Sequence, residues 1–104
     1  MQAPFDKMRT SEEESDIGEK HVPVINIEEG DKIKINVKTG SKEHPSETEH
    51  FIQWIEILDN KIPISRIYLT HFNKPEATFI LKEKPSKLTV RNFCNKHGIW
   101  EYSE

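Results

Sequence analysis

Hydrophobic residues alternate with polar ones along most of the chain. Ile33, Ile35 and Val37 are interleaved with Lys32, Lys34, Asn36 and Lys38. A period of two predicts a strand with one dry face and one wet face. Val22, Val24 and Ile25 surround Pro23, which predicts an edge strand, because proline cannot donate to a central ladder. Between Phe51 and Leu58 apolar residues fall on both faces. Phe51, Ile55 and Ile57 share one parity, and Ile52, Trp54 and Leu58 the other. A strand covered on both sides belongs in the middle of a sheet or at a packing interface. Further extended segments run from Ile62 to Leu69, from Ala77 to Lys82, with Phe79 and Leu81 opposite Ile80, and from Lys87 to Val90. Ile99, Trp100 and Tyr102 close the chain. Glu29-Gly30-Asp31, Thr39-Gly40-Ser41, Asp59-Asn60-Lys61 and Lys84-Pro85-Ser86 punctuate these runs as turns. Six or seven short strands with almost no helical period predict an all-β antiparallel sandwich. A small barrel shares the pattern, and periodicity does not separate the two.

The first 18 residues break this rhythm. Thr10 to Asp16 reads TSEEESD, acids and hydroxyls without an apolar face, and predicts a solvated polar arm. Ser11 and Glu14 have the spacing of a capping box, which allows one helical turn. The folded domain is expected over residues 19–104. A chain of 104 residues is one domain. With 34% hydrophobic and 32% charged residues it is polar for a folded domain, and a chain this short would be helped by an extra staple, a metal or an oligomer contact. The single cysteine rules out an internal disulfide. No apolar run approaches the ~18 residues of a membrane span, and the N-terminus lacks the apolar core of a signal peptide. A reducing cytosol is therefore the expected compartment. A net charge of −3 argues against nucleic acid as the main partner.

The candidate chemistry lies in five histidines and the cysteine. His21 opens the first strand, His44 sits in the polar loop KEHPSETEH, and His50 stands where that loop enters the central strand. Cys94 and His97 form a C-x-x-H turn. Loops on a rigid scaffold can bring such side chains to one point. Imidazole and thiolate suit zinc, copper and iron, whereas calcium and magnesium take oxygen. Tetrahedral zinc needs four ligands. A fifth nitrogen or sulfur donor points instead to a five- or six-coordinate ion such as iron. A structural cysteine beside an exposed histidine is the plainer alternative for the C-x-x-H pair alone.

Three segments resemble the superoxide reductase family, whose short form is called neelaredoxin and whose long form is desulfoferrodoxin. They are Glu19-Lys20-His21-Val22-Pro23, His44-Pro45 through His50-Phe51-Ile52-Gln53-Trp54, and Cys94-Asn95-Lys96-His97-Gly98-Ile99-Trp100. The resemblance implies a seven-stranded immunoglobulin-like sandwich. It also implies one mononuclear iron held by His21, His44, His50 and His97 with Cys94 as the axial ligand. Glu19 corresponds to a sixth ligand of the ferric state, and Lys20 to a cation beside the open position. The implied reaction is one-electron reduction of superoxide to hydrogen peroxide, with rubredoxin or a similar protein as electron donor. The four-cysteine domain of long forms is not expected in a chain with one cysteine, and a homo-oligomer, a tetramer before a dimer, would supply extra burial.

Other residues have less specific readings. Glu47 and Glu49 are expected to keep their loop solvated, and His71, in LTHFN, to be a surface or turn residue. Trp54 and Trp100 are expected to serve as core or as cover for the iron. Asn95 and Gly98 should shape the ligand turn, whose amides can hydrogen-bond the Cys94 sulfur. A non-enzymatic sandwich holding iron or zinc for electron transfer or structure is the alternative function.

Overall fold

The computed structural model describes the pair Met8–Arg9 and residues 19–104. Seven antiparallel strands form a sandwich: β2 (Pro23–Glu29), β3 (Ile33–Thr39), β4 (Ile52–Asp59), β5 (Ile62–Tyr68), β6 (Glu76–Leu81), β7 (Leu88–Cys94) and β8 (Gly98–Ser103). One sheet runs β2-β3-β6 and the other β8-β7-β4-β5. A two-residue strand, β1 (Met8–Arg9), adds a parallel pairing to β8. The expected polar arm thus contributes one short edge. The capped turn expected from Ser11 to Glu14 lies outside the described residues.

The alternation read from the sequence sets the layers. Ile33, Ile35 and Val37 of β3 face Ile55 and Ile57 of β4 and Leu88 and Val90 of β7, and all are buried. β2 is an edge strand, as its proline requires, and β4 lies between β7 and β5. Asn60 and Lys61 have φ of 52° and 66°, which fits the two-residue turn of a right-twisted hairpin.

One parity expectation fails. Ile52 packs with Ile55 and Ile57, not with Trp54. Phe51 instead borders a groove with Trp54 and Phe93. The cause is a bulge: Ile52 pairs with Cys94 but Trp54 pairs with Phe93, so the β4 register against β7 shifts by one residue. An extra residue in one strand reverses the facing of everything before it.

The pairings also define two ends. Pro23 lies opposite Thr39, Ile52 opposite Cys94, and Cys94 opposite Gly98. The segment before β2, the loop after β3, the entry to β4 and the β7–β8 turn therefore share one end of the sandwich. The 30–32 and 60–61 turns lie at the other.

Candidate metal centre

Each chemical side chain reaches that end for a local reason. Residues 19–21 are helical, and this short segment is pinned from several sides. The Lys42 amide donates to the Glu19 carbonyl (2.9 Å) and the Gly40 amide to the Val22 carbonyl (3.1 Å). The buried Asn92 side chain donates from Nδ2 to the His21 carbonyl at 2.7 Å. Trp100, fully buried, stacks on the His21 ring with centroids 4.9 Å apart and planes at 22°. His44 follows β3, and its Nδ1 donates to the Pro45 carbonyl at 2.7 Å. His50 closes a tight turn in which Glu47 and His50 exchange both amide bonds, at 2.9 and 3.0 Å. Cys94 and His97 lie across the β7–β8 turn, where Gly98 has φ of 85°, a conformation glycine adopts without cost.

The rings of four histidines then close a square. Centroid separations around it are 4.6 Å for His21–His44, 4.8 Å for His44–His50, 5.1 Å for His50–His97 and 4.8 Å for His21–His97. Neighbouring planes stand at 65° to 81°. Cys94 is buried, with Sγ 3.7 Å from His97 Nδ1. The donor atoms of His21, His44, His50 and Cys94 all lie within 4.8 Å of one another.

The donor set fits a metal ion. His44 Nε2 and His21 Nε2 are 3.0 Å apart. Two nitrogens bound at right angles to an ion at ~2.1 Å would be separated by ~3.0 Å, and two bound on opposite sides by ~4.2 Å. Because His44 Nδ1 donates its proton to Pro45, its Nε2 is left with a bare lone pair in the neutral ring. His50 Nε2 is buried and has no hydrogen-bond partner. A buried nitrogen without a partner is costly unless an ion uses it.

Electrostatics agree. Burial lowers the His44 pKa to about 4, against a raising hydrogen bond to Pro45, with His50, His97 and Lys20 lowering it further. Burial, then His97 and Lys96, push the His50 pKa down. Both rings are thus held as neutral donors. Burial raises the Cys94 pKa, opposed by the backbone amides of Lys96 and His97, which hydrogen-bond it, and by the Lys96 charge. The amides expected at the sulfur are therefore present, and they come from the two residues between Asn95 and Gly98.

The remaining candidates divide. Lys20 is exposed, yet its charge reaches both His44 and His50. The Glu19 carboxylate is bonded to Lys42 at 3.1 Å, on the surface. Glu47 and Glu49 are exposed. His71 comes to the same end of the sandwich but packs against Phe72 and Phe51, with centroids 4.1 and 6.2 Å away. An open cleft bordered by His44, Glu47, His71 and Phe72 lies beside the cluster. Trp54 is buried under the Arg66 guanidinium, 3.9 Å from its ring centre, and so is core, while Trp100 covers the site. Asn92 is not among the residues that the sequence singles out. Its signal was a polar residue at an inward parity of β7, between Val90 and Cys94.

A seven-stranded sandwich with four imidazoles and a thiolate gathered at one end defines a class of non-haem metalloprotein. The family profile of desulfoferrodoxin matches residues 13–103, and the chain belongs to the superoxide reductase/desulfoferrodoxin family. A superoxide reductase of Pyrococcus abyssi is 42% identical over 97 residues, covering 81% of this chain and 84% of the relative. A desulfoferrodoxin of Syntrophotalea carbinolica is 50% identical over 82 residues, covering 79% of this chain. The chain spans 60% of that relative's length. The solved superoxide reductase (neelaredoxin) of Ignicoccus hospitalis superposes with a TM-score of 0.77 at 28% identity, over 97% of this chain and 95% of the other.

Proposed function

We infer that the chain acts as a superoxide reductase, converting superoxide to hydrogen peroxide with one electron and two protons. The observation that carries this is the square of four imidazoles, with the Cys94 sulfur beside it, in a member of this family. His21, His44, His50, His97 and Cys94 would hold a single iron, which supplies the electron by passing between its ferrous and ferric states. The residues themselves do four things. Burial keeps His44 and His50 unprotonated, so the donors are ready at neutral pH. The amides of Lys96 and His97 offset part of the cost of burying a Cys94 thiolate. Lys20 and Lys96 place positive potential over the cluster and draw in a small anion. Lys20 would also order a proton-donating water near the arriving anion. Glu19 would serve as a ligand of the ferric state only, and would first have to leave its ion pair with Lys42.

A rubredoxin-like protein is the electron donor in this proposal, and the assembly is a homo-oligomer, a tetramer before a dimer. Exposed Ile62, Ile64 and Tyr68 on the edge strand β5 support the latter. No helix among the described residues is long and apolar enough to cross a membrane.

Metal analysis and an oxidised-minus-reduced spectrum of anaerobically purified protein test the centre. Iron near one per chain and a thiolate charge-transfer band in the red are expected. Cys94→Ser should lose that band and most activity, because a hydroxyl is a poor substitute for a soft thiolate. His71→Ala should keep both. A colourless zinc protein, or a band that survives Cys94→Ser, would overturn the assignment.

A further inference from the structure

Asn95 is exposed, but its side chain makes two well-formed bonds to backbone. Its Oδ1 accepts from the Phe51 amide at 2.9 Å. Its Nδ2 donates to the Glu49 carbonyl, also at 2.9 Å. Residues 49 and 51 are the two neighbours of His50. The Asn95 amide adds a third tie, to the Phe51 carbonyl at 3.3 Å. One carboxamide thus straddles the peptide groups on either side of a candidate ligand. Asn95 itself follows Cys94 directly and opens the turn that carries His97.

This contact is needed because His50 has little else to hold it. Its loop closes on itself through the Glu47–His50 bonds, which fix the turn's shape but not its place. The regular pairing of β4 with β7 begins at Ile52–Cys94 and is interrupted by the bulge before Trp54. His50 therefore precedes the ladder at its most irregular point. His44 is fixed by Pro45 and His21 by Asn92 and Trp100. His50 Nε2 has no hydrogen bond of its own to orient the ring.

We propose that Asn95 is the positioning residue for His50, clamping the loop of residues 47–51 onto the Cys94–His97 turn so that imidazole and thiolate meet one ion. The proposal rests on the ligand set inferred above. Both hydrogen-bonding ends of the carboxamide are used. Aspartate keeps the acceptor for the Phe51 amide but loses the donor to Glu49, and alanine loses both. Because Asn95 is exposed, its removal leaves no buried group behind and spares the fold.

The test is a titration of the full, metal-stripped chain with Co2+ in competition with a chelator, read by the visible d–d bands and the near-ultraviolet thiolate band. Asn95→Ala should bind roughly 10- to 100-fold more weakly, the range seen when partners that orient a ligand are lost. Its d–d bands should shift toward those of His50→Ala while the thiolate band remains. Asn95→Asp should fall between alanine and wild type. Asn36→Ala, which removes a comparable set of exposed bonds far from the site, should match wild type. The decisive comparison is the double variant. If Asn95 acts through His50, Asn95→Ala should add no more than about twofold in the His50→Ala background. Additive losses, or an Asn95→Ala affinity and spectrum equal to wild type, would overturn the proposal. Failure of the ligand assignment looks different: His50→Ala would then bind Co2+ like wild type, and the clamp would fall with it.

Discussion

At the scale of single residues, the effect of the exposed Lys20 is the most purely electrostatic. Lys20 lowers the pKa of His44 and His50 through its charge alone. A cation that disfavours a proton on those rings favours an anion beside them. Two unit charges ~6 Å apart at an effective dielectric near 40 attract by about 1.4 kcal/mol, which is roughly tenfold in rate. Lys20→Ala should slow the bimolecular reaction with superoxide by about that factor at low salt. Lys20→Arg should keep most of the rate. Salt should slow the wild type more than Lys20→Ala, since screening removes only what a charge supplies. Pulse radiolysis across a range of ionic strength measures this. Equal salt slopes would remove Lys20 and leave Lys96 as the steering cation.

At the scale of elements, the site depends on short segments packed closer than side chains normally permit. Gly40 has φ of 76°, and a Cβ built there would lie 2.4 Å from the Lys20 carbonyl carbon and 2.7 Å from the Glu19 carbonyl oxygen. Those are backbone atoms, which cannot rotate away. Gly40→Ala should push the 19–21 segment outward and cost on the order of 2–3 kcal/mol, from the strained φ and the overlap together. His21 rides on that segment, so metal affinity should fall with stability, whereas Gly30→Ala, where nothing lies within 4 Å of the added Cβ, should change neither. Thermal melts and the Co2+ titration read both.

The same scale shows what the chain made legible. The dry face of β3 follows from alternation, and the edge position of β2 from Pro23; β7 is expected only over Lys87 to Val90, whereas it runs to Cys94 and is buried on both faces. Five candidate ligands were legible because histidine and cysteine are rare and stood at the ends of strands. The exchange of Ile52 and Phe51 between faces was not, because a bulge leaves no mark in a run that is apolar on both parities. Nor was Asn92 at the His21 carbonyl, since that contact joins residues 71 positions apart and depends on how the two sheets stack. The pairing of Met8–Arg9 with β8 was hidden by a composition that resembles solvated chain.

At the scale of the whole molecule, folding and the metal site share one dependence on protons. The sandwich closes over histidines that must be neutral to be buried. In the unfolded chain these rings titrate near 6.5, and in the folded chain His44 titrates near 4. A depressed histidine pKa means that the unfolded state binds more protons between those values. Stability is then fully present above about pH 6.5 and is lost as pH falls toward 4. For His44 the loss amounts to about 3 kcal/mol at most, and His50 adds to it in the same direction. The metal-stripped chain should therefore show a urea midpoint that drops steadily from pH 7 to pH 4.5. His71→Ala should reproduce that slope, and His44→Gln should flatten it. A bound ion competes with the same protons, so the loaded protein should hold its midpoint to lower pH and then lose metal and stability together. A metal-stripped midpoint that stays level or rises on acidification would mean that the histidine cluster is not buried neutral, and the coupling between fold and site would fail with it.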